Sequence, residues 1–225
     1  MNIRVRFGKE GGLRFIGHLD VLRSFQKIFR RAGLPMAYSQ GFSPHPIMSF
    51  ALPLGLGLSS EGEYLDAELR EELPVEQILT ALQAATTPEL PVYRVLRLPD
   101  KAENAMASVG RAIYRASFDA ALSAEALERG LQAVLAKTSL VILKKTKTKE
   151  TDCDIRPAIH ALRREGQALV LELGAGSVDN LKPETVLALI CAEAGLEYVP
   201  GSFRLRRLDL LDRQGRSLGE AEEQA

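Results

Sequence analysis

The 225-residue chain has no tryptophan, two cysteines and three histidines. Cys153 and Cys191 lack metal-ligand spacing, which argues against an iron–sulfur or structural zinc site. Isolated cysteines usually sit reduced in a cytosolic core, although the pair leaves a disulfide open. No cofactor is expected. No apolar stretch approaches the roughly 20 residues of a membrane span. The N-terminus, NIRVRF, reads as a strand rather than a signal peptide, so the expected compartment is cytoplasmic, with no membrane partner. Hydrophobic residues at 46% and charged residues at 26% exclude global disorder.

Net charge is also missing, at 29 basic against 29 acidic side chains, but the balance hides segregation. Residues 1–50 carry 8 Lys/Arg and 2 Asp/Glu, a net of +6, and residues 51–100 carry 3 and 9, a net of −6. Screening confines a surface charge to about 10 Å, so an anionic partner would feel the local basic field and not the neutral total. The bland alternative is a solvated dipolar surface.

Periodicity assigns the elements. Ile3, Val5 and Phe7 alternate with Arg4 and Arg6, a half-buried strand. Leu13–Ile16 reads as a short hairpin arm. Val21, Leu22, Phe25, Ile28, Phe29 and Ala32 form the buried stripe of a helix over about 18–32, which Gly33 ends and Pro35 stops. Strands follow near 46–53 and 62–69, then a helix beginning at Pro74 and a strand over 91–98. Residues 99–110 read as a linker. The order then recurs: a strand over 112–118, a helix capped by Ser123, a strand from Leu140 running into KKTKTKE, a hairpin turning at Glu165-Gly166, a helix opened by Pro183, and a strand to Leu211. The expectation is an α+β fold of two tandem ferredoxin-like βαββαβ units, residues 1–99 and 110–212, with a polar tail over 213–225.

The densest chemistry lies in GHLDVLRSFQKIFRRAGLPMAYSQGFSPHPIMSF, residues 17–50. Arg23, Lys27, Arg30 and Arg31 decorate the helix, and Tyr38, Phe42 and His45 populate the loop after it. Arg30 and Arg31 also suit the negative end of the helix dipole without any ligand. Lysines at 145, 147 and 149 share one face if extended; they can bind phosphates or discourage edge aggregation. Arg156 in DIRP either pairs locally with Asp154 or faces a ligand. Arg4, Arg6, Arg204, Arg206 and Arg207 place cations on two terminal strands, which suggests basic open sheet faces but lacks the aromatics that stack bases. His18 and His45 have the chemistry for acid–base cleavage of RNA, if they meet. Gly55-Leu56-Gly57 is too short for a dinucleotide fingerprint.

The stretch from Arg6 to Leu69, with GHLD, GFSPHP and EYLD in order, resembles the N-terminal signature of the bacterial radical-SAM-linked protein family, a family of unknown function. KKTKTKETDCDIRPAI resembles its second signature. The resemblance covers nearly the whole chain. Its members occur alone or as C-terminal extensions of radical-SAM enzymes, which implies a radical-SAM partner. Gly17 and Ile47 depart from the family pattern, where a Ser and a Lys are frequent, and Ile47 removes a cation from the loop. The three-cysteine cluster motif of radical-SAM enzymes is absent, so the resemblance implies an accessory module. Three functions follow as expectations. The first is a non-enzymatic module that presents RNA. The second is a protein-docking subunit that uses the acidic strand at 61–72 and the 35–53 loop. The third is a metal-independent ribonuclease that uses His18 and His45.

Overall fold

The computed structural model describes residues 1–145, 150–176 and 180–220. The elements run β1 (Asn2–Lys9), α1 (His18–Arg31), β2 (Met48–Phe50), β3 (Ser59–Glu68), α2 (Val75–Ala85), β4 (Val92–Leu98), α3 (Ala105–Ser108), β5 (Val109–Ser117), α4 (Ala124–Ala136), β6 (Val141–Lys145), β7 (Glu150–Asp154), β8 (Ile159–Arg164), β9 (Ala168–Gly174), α5 (Pro183–Glu193) and β10 (Arg204–Asp212). This is a mixed α+β fold with mostly antiparallel pairing. Contacts divide the chain into two units, Met1–Gly110 with the chain from Arg206 onward, and Arg111–Leu205. The sequence order places the last strand in the second half, whereas from Arg206 it groups with the first. Among the described residues no helix is long and apolar enough to cross a membrane.

In the first unit β1 lies between β4 and β3, antiparallel to both. β2 pairs antiparallel with one half of β3 (Met48 opposite Ala67), and β10 pairs parallel with its other half (Arg206 opposite Ser59). The alternation read in β1 is real. Ile3, Val5 and Phe7 enter a core with Val21, Phe25, Ile28 and Phe29 of α1 and Ile78 and Leu82 of α2. Phe7, Phe25 and Phe50 meet edge to face there. Gly33, at φ 65°, ends α1 in the left-handed conformation that a side chain resists. Pro74 stands one residue ahead of α2 as its N-cap.

The second unit holds an antiparallel β5-β9-β8 sheet, helices α4 and α5, and a separate β6-β7 ribbon. Ser123 caps α4 by accepting the Ala126 N–H at 3.2 Å. β8 and β9 turn at Gly166, φ 60°.

Three details depart from expectation. Residues 11–15 form a 3-10 turn instead of a hairpin arm. The linker contains α3, whose Asn104 cap accepts the Ala107 N–H at 2.9 Å. The lysine-rich strand folds back on β7, a short polar strand that carries no period-two signal.

Candidate functional site at a sheet edge

The arginine-bearing strands do not form a basic open face, because β3 supplies their counter-charges. Arg4 binds Asp66 through two nitrogens, at 2.7 and 3.0 Å. Arg206 meets Glu10 and Glu61, and the buried Arg207 holds Glu63. Arg6 donates to the carbonyls of Glu61 and Leu208. Three acids of the −6 segment, Glu61, Glu63 and Asp66, are therefore spent on internal pairing, although among the described residues Arg4 is the one cation of residues 1–50 that shares it. The acidic strand expected to dock a partner is largely spent inside the first unit: Glu63 is buried and Asp66 is engaged.

α1 carries several cations at the surface. Arg23 pairs with Asp20 at 3.1 Å on the exposed face. Arg31 donates to the Ala85 carbonyl at 2.6 Å, which ties α1 to the C-terminal end of α2. Among the described residues, Lys27, Arg30 and Arg70 have no side-chain hydrogen bond or ion pair. Arg30 and Arg70 line one groove of about 330 Å³ with Gln26, Tyr38, Pro46 and Met48. Tyr38 is 47% exposed. Two of the residues singled out in the sequence, Arg30 and Tyr38, thus converge. Arg70 was not foreseen. It stands beside them because Leu69 bridges Met36 across the sheet edge, a long-range register that no local pattern signals.

The loop after α1 is a small hairpin. Tyr38 bridges Pro46, the Ser39 N–H donates to the His45 carbonyl at 2.9 Å, and the Ile47 N–H donates to the Ala37 carbonyl at 2.9 Å. Phe42 projects fully exposed at its tip. Ser39 Oγ accepts the His45 N–H at 3.1 Å and lies 2.9 Å from His45 Nδ1, so Ser39 fixes the ring at its loop.

The histidine pair does not assemble. His45 lines a groove of about 430 Å³ with Ser39, Ser49, Asp66 and Glu68. His18 packs edge to face on Phe50 and lines a different cavity, of about 20 Å³, with Lys9 and Glu63. That volume suits one water and no ligand. Burial pushes the Lys9 ammonium below its ordinary pKa; Glu63 opposes the shift and Arg207 adds to it. The Lys9 Nζ donates to the Ile16 carbonyl at 2.8 Å, which holds the entry to α1.

Arg156 is not aimed at a ligand. Its guanidinium donates to the carbonyls of Lys137, Ile159 and Leu135 at 2.9, 3.1 and 3.4 Å, strapping the C-terminal end of α4. Asp154 accepts the N–H groups of Leu140 and Arg156, which holds its carboxyl below the usual range. Lys145 ends β6, and Lys147 and Lys149 lie outside the described residues. A further cavity of about 570 Å³ is lined by Arg4, Lys101, Arg213 and Arg216. Three of these cations are already engaged: Arg4 by Asp66, Arg216 by Asp212, and Arg213 by the Ala107 carbonyl.

The fold and this edge define an α+β protein with an unpaired cationic groove beside an aromatic hairpin. The chain belongs to an uncharacterized protein family conserved in bacteria (DUF2344), whose model matches residues 2–183. No curated protein matches it. Among solved structures, a chain in the crystal structure of a Cbf5-Nop10-Gar1 complex is similar over 92% of this chain and 48% of its own length, at 11% identity and a TM-score of 0.48. The chain spans about half of that one's length.

Proposed function

We propose that this protein is a non-catalytic binding module that holds RNA at the edge formed by α1 and the 36–48 hairpin and presents it to a radical-SAM enzyme. The observation that carries the RNA reading is the groove in which unpartnered Arg30 and Arg70 flank the exposed Tyr38. Guanidiniums free of protein partners can neutralise phosphates without first breaking an ion pair, and an exposed tyrosine offers a stacking face. Lys27 lies on the exposed side of α1, nearly one turn before Arg30, and extends the cationic track. The partnership with a radical-SAM enzyme rests on the resemblance of the sequence motifs. The antiparallel order β4-β1-β3-β2, with both helices on one face, supports a ferredoxin-like first unit. The ribonuclease reading loses its geometric support, because His18 and His45 line separate cavities.

The test is RNA binding by the purified chain across a salt series. Arg30→Glu combined with Arg70→Glu should weaken binding at least about tenfold and flatten the slope of log affinity against log salt by roughly 1.4, the value for two single-strand phosphate contacts. The reading is wrong if affinity and slope are unchanged in a folded variant.

A protein-docking role has one observation in its favour, at the opposite end of α1 from Arg30. Phe15, Leu19 and Leu56 are each more than 60% exposed, and the Gly57 N–H donates to the Arg14 carbonyl, bringing the last of them beside the first. Recovery of a radical-SAM protein from cells at equal yield with and without RNase, with no enriched RNA, would decide for docking.

A further inference from the structure

The sheet edge has two sides, and they are chemically opposite. Side chains alternate along the hairpin and β2 with the two-residue period of extended chain. Tyr38, Pro46 and Met48 line the cationic groove, on the side of the sheet that carries α1. Ser39, His45, Ile47 and Ser49 line the groove on the open face. Pro46 and Met48 border both grooves, so this strip is their common wall.

The open-face groove, about 430 Å³, is within the size range of small-ligand sites. Its polar groups fall into two sets. Asp66 is spent on Arg4 and on the Ala105 N–H. Among the described residues, the side chains of Asn2, Ser49 and Glu68 have no hydrogen bond or ion pair. His45 Nδ1 is engaged by Ser39 Oγ at 2.9 Å, so among the described residues Nε2 is the ring nitrogen left without a protein partner.

We infer that, given the RNA reading above, this second groove receives a nucleobase bearing an exocyclic amino group, folded over the sheet edge from a backbone held at Arg30 and Arg70. The Glu68 carboxylate repels phosphate, so the backbone is driven to the Arg30 side and a base edge to the Glu68 side. A carboxylate is an acceptor-only group, and its complement on a base edge is an amino group, such as N4 of cytosine or N6 of adenine. Uracil presents carbonyl oxygens at those positions and would leave Glu68 facing acceptors. Asn2, Ser49 and His45 supply the mixed donors and acceptors that the rest of a base edge requires. The two grooves then divide the labour: guanidiniums position the strand, and Glu68 selects the base.

Cytidine and uridine decamers separate this inference from the RNA reading it rests on. Binding of each, end-labelled, to the full chain is measured by fluorescence anisotropy at low salt. The cytidine decamer should bind about tenfold more tightly than the uridine decamer, as expected for one well-placed base contact. Glu68→Gln, which keeps size and shape, should collapse that preference, because its amide can donate to uracil oxygens. Arg30→Glu with Arg70→Glu should weaken both decamers alike. Equal affinities for the two decamers, both lowered by the arginine changes, would overturn the base-selecting groove and leave the phosphate track standing. Failure of both decamers to bind would overturn the RNA reading itself. A preference for cytidine that survives Glu68→Gln would place selection elsewhere and refute the assignment to Glu68.

Discussion

Glu63→Ala should destabilise the first unit by about 3–5 kcal/mol, the cost of stranding a buried charge. Glu63 is 4% exposed and Arg207 is 1% exposed. Their bond is bidentate: Nε donates to Oε1 at 2.8 Å and Nη2 donates to Oε2. The hydroxyl of Ser60, wholly buried, also donates to Oε1, and the Leu52 carbonyl accepts from Arg207 at 2.7 Å. Lys9, 3% exposed, stands at the same cluster. Without Glu63, two buried cations share an interior with no counter-charge, and the lysine can escape only by losing its proton. In a chain of this size the loss corresponds to roughly 6–20 °C in thermal midpoint. Glu63→Leu combined with Arg207→Met should recover most of it, since a matched apolar pair removes both desolvation costs. Thermal and urea unfolding of the three proteins decide the matter. A loss under about 1 kcal/mol in Glu63→Ala would mean that the pair is solvated and does not anchor β10 to β3.

That pair also marks what the sequence could not disclose. Alternation and helical spacing located β1, α1 and α4, because each buries a regular stripe that local chemistry specifies: Ile3, Val5 and Phe7, or Val21, Phe25, Ile28 and Phe29. Gly33 and Ser123 marked helix ends for equally local reasons. The sequence separates Arg207 from Glu63 by 144 positions. Without the order of strands, the arginines read as an open cationic surface and the acids as a separate one. β7 was hidden for a different reason: ETDCD is exposed along nearly all its length, and its order comes from pairing with β6, which leaves no apolar imprint. At the candidate site the local half was legible. Arg30 and Tyr38 were singled out, while Arg70 and Glu68 reach the edge only through the register of the hairpin against the end of β3. Arg156, which the sequence leaves open between a pairing with Asp154 and a ligand, instead turns its donors to the carbonyls that close a helix end.

Gly130→Ala tests the packing of the second unit, and the sign of its effect is informative. Gly130 is buried within α4, where alanine is ordinarily worth about 1 kcal/mol more than glycine by helix propensity. On that ground alone the substitution should stabilise. A Cβ at this position would lie 2.2 Å from the Ile190 carbonyl oxygen and 2.9 Å from both the Ala194 nitrogen and its Cβ, all on or just beyond α5. Two of these atoms are backbone and cannot rotate away, so α4 and α5 must move apart around Leu127, Leu131, Leu187 and Ile190, all of them buried. Overpacking of this kind costs about 1–3 kcal/mol where side chains can adjust, and backbone contacts leave little room to adjust. The expected result is a net loss of about 2 kcal/mol or more despite the propensity gain. Adding Ala194→Gly should not rescue the protein, because it removes only the Cβ contact and leaves the Ile190 carbonyl in place. Hydrogen exchange should show the loss in the amides of α4 and α5, while β1 and α1 of the first unit keep their protection. An unchanged or raised stability in Gly130→Ala would mean that the two helices lie further apart than these distances require.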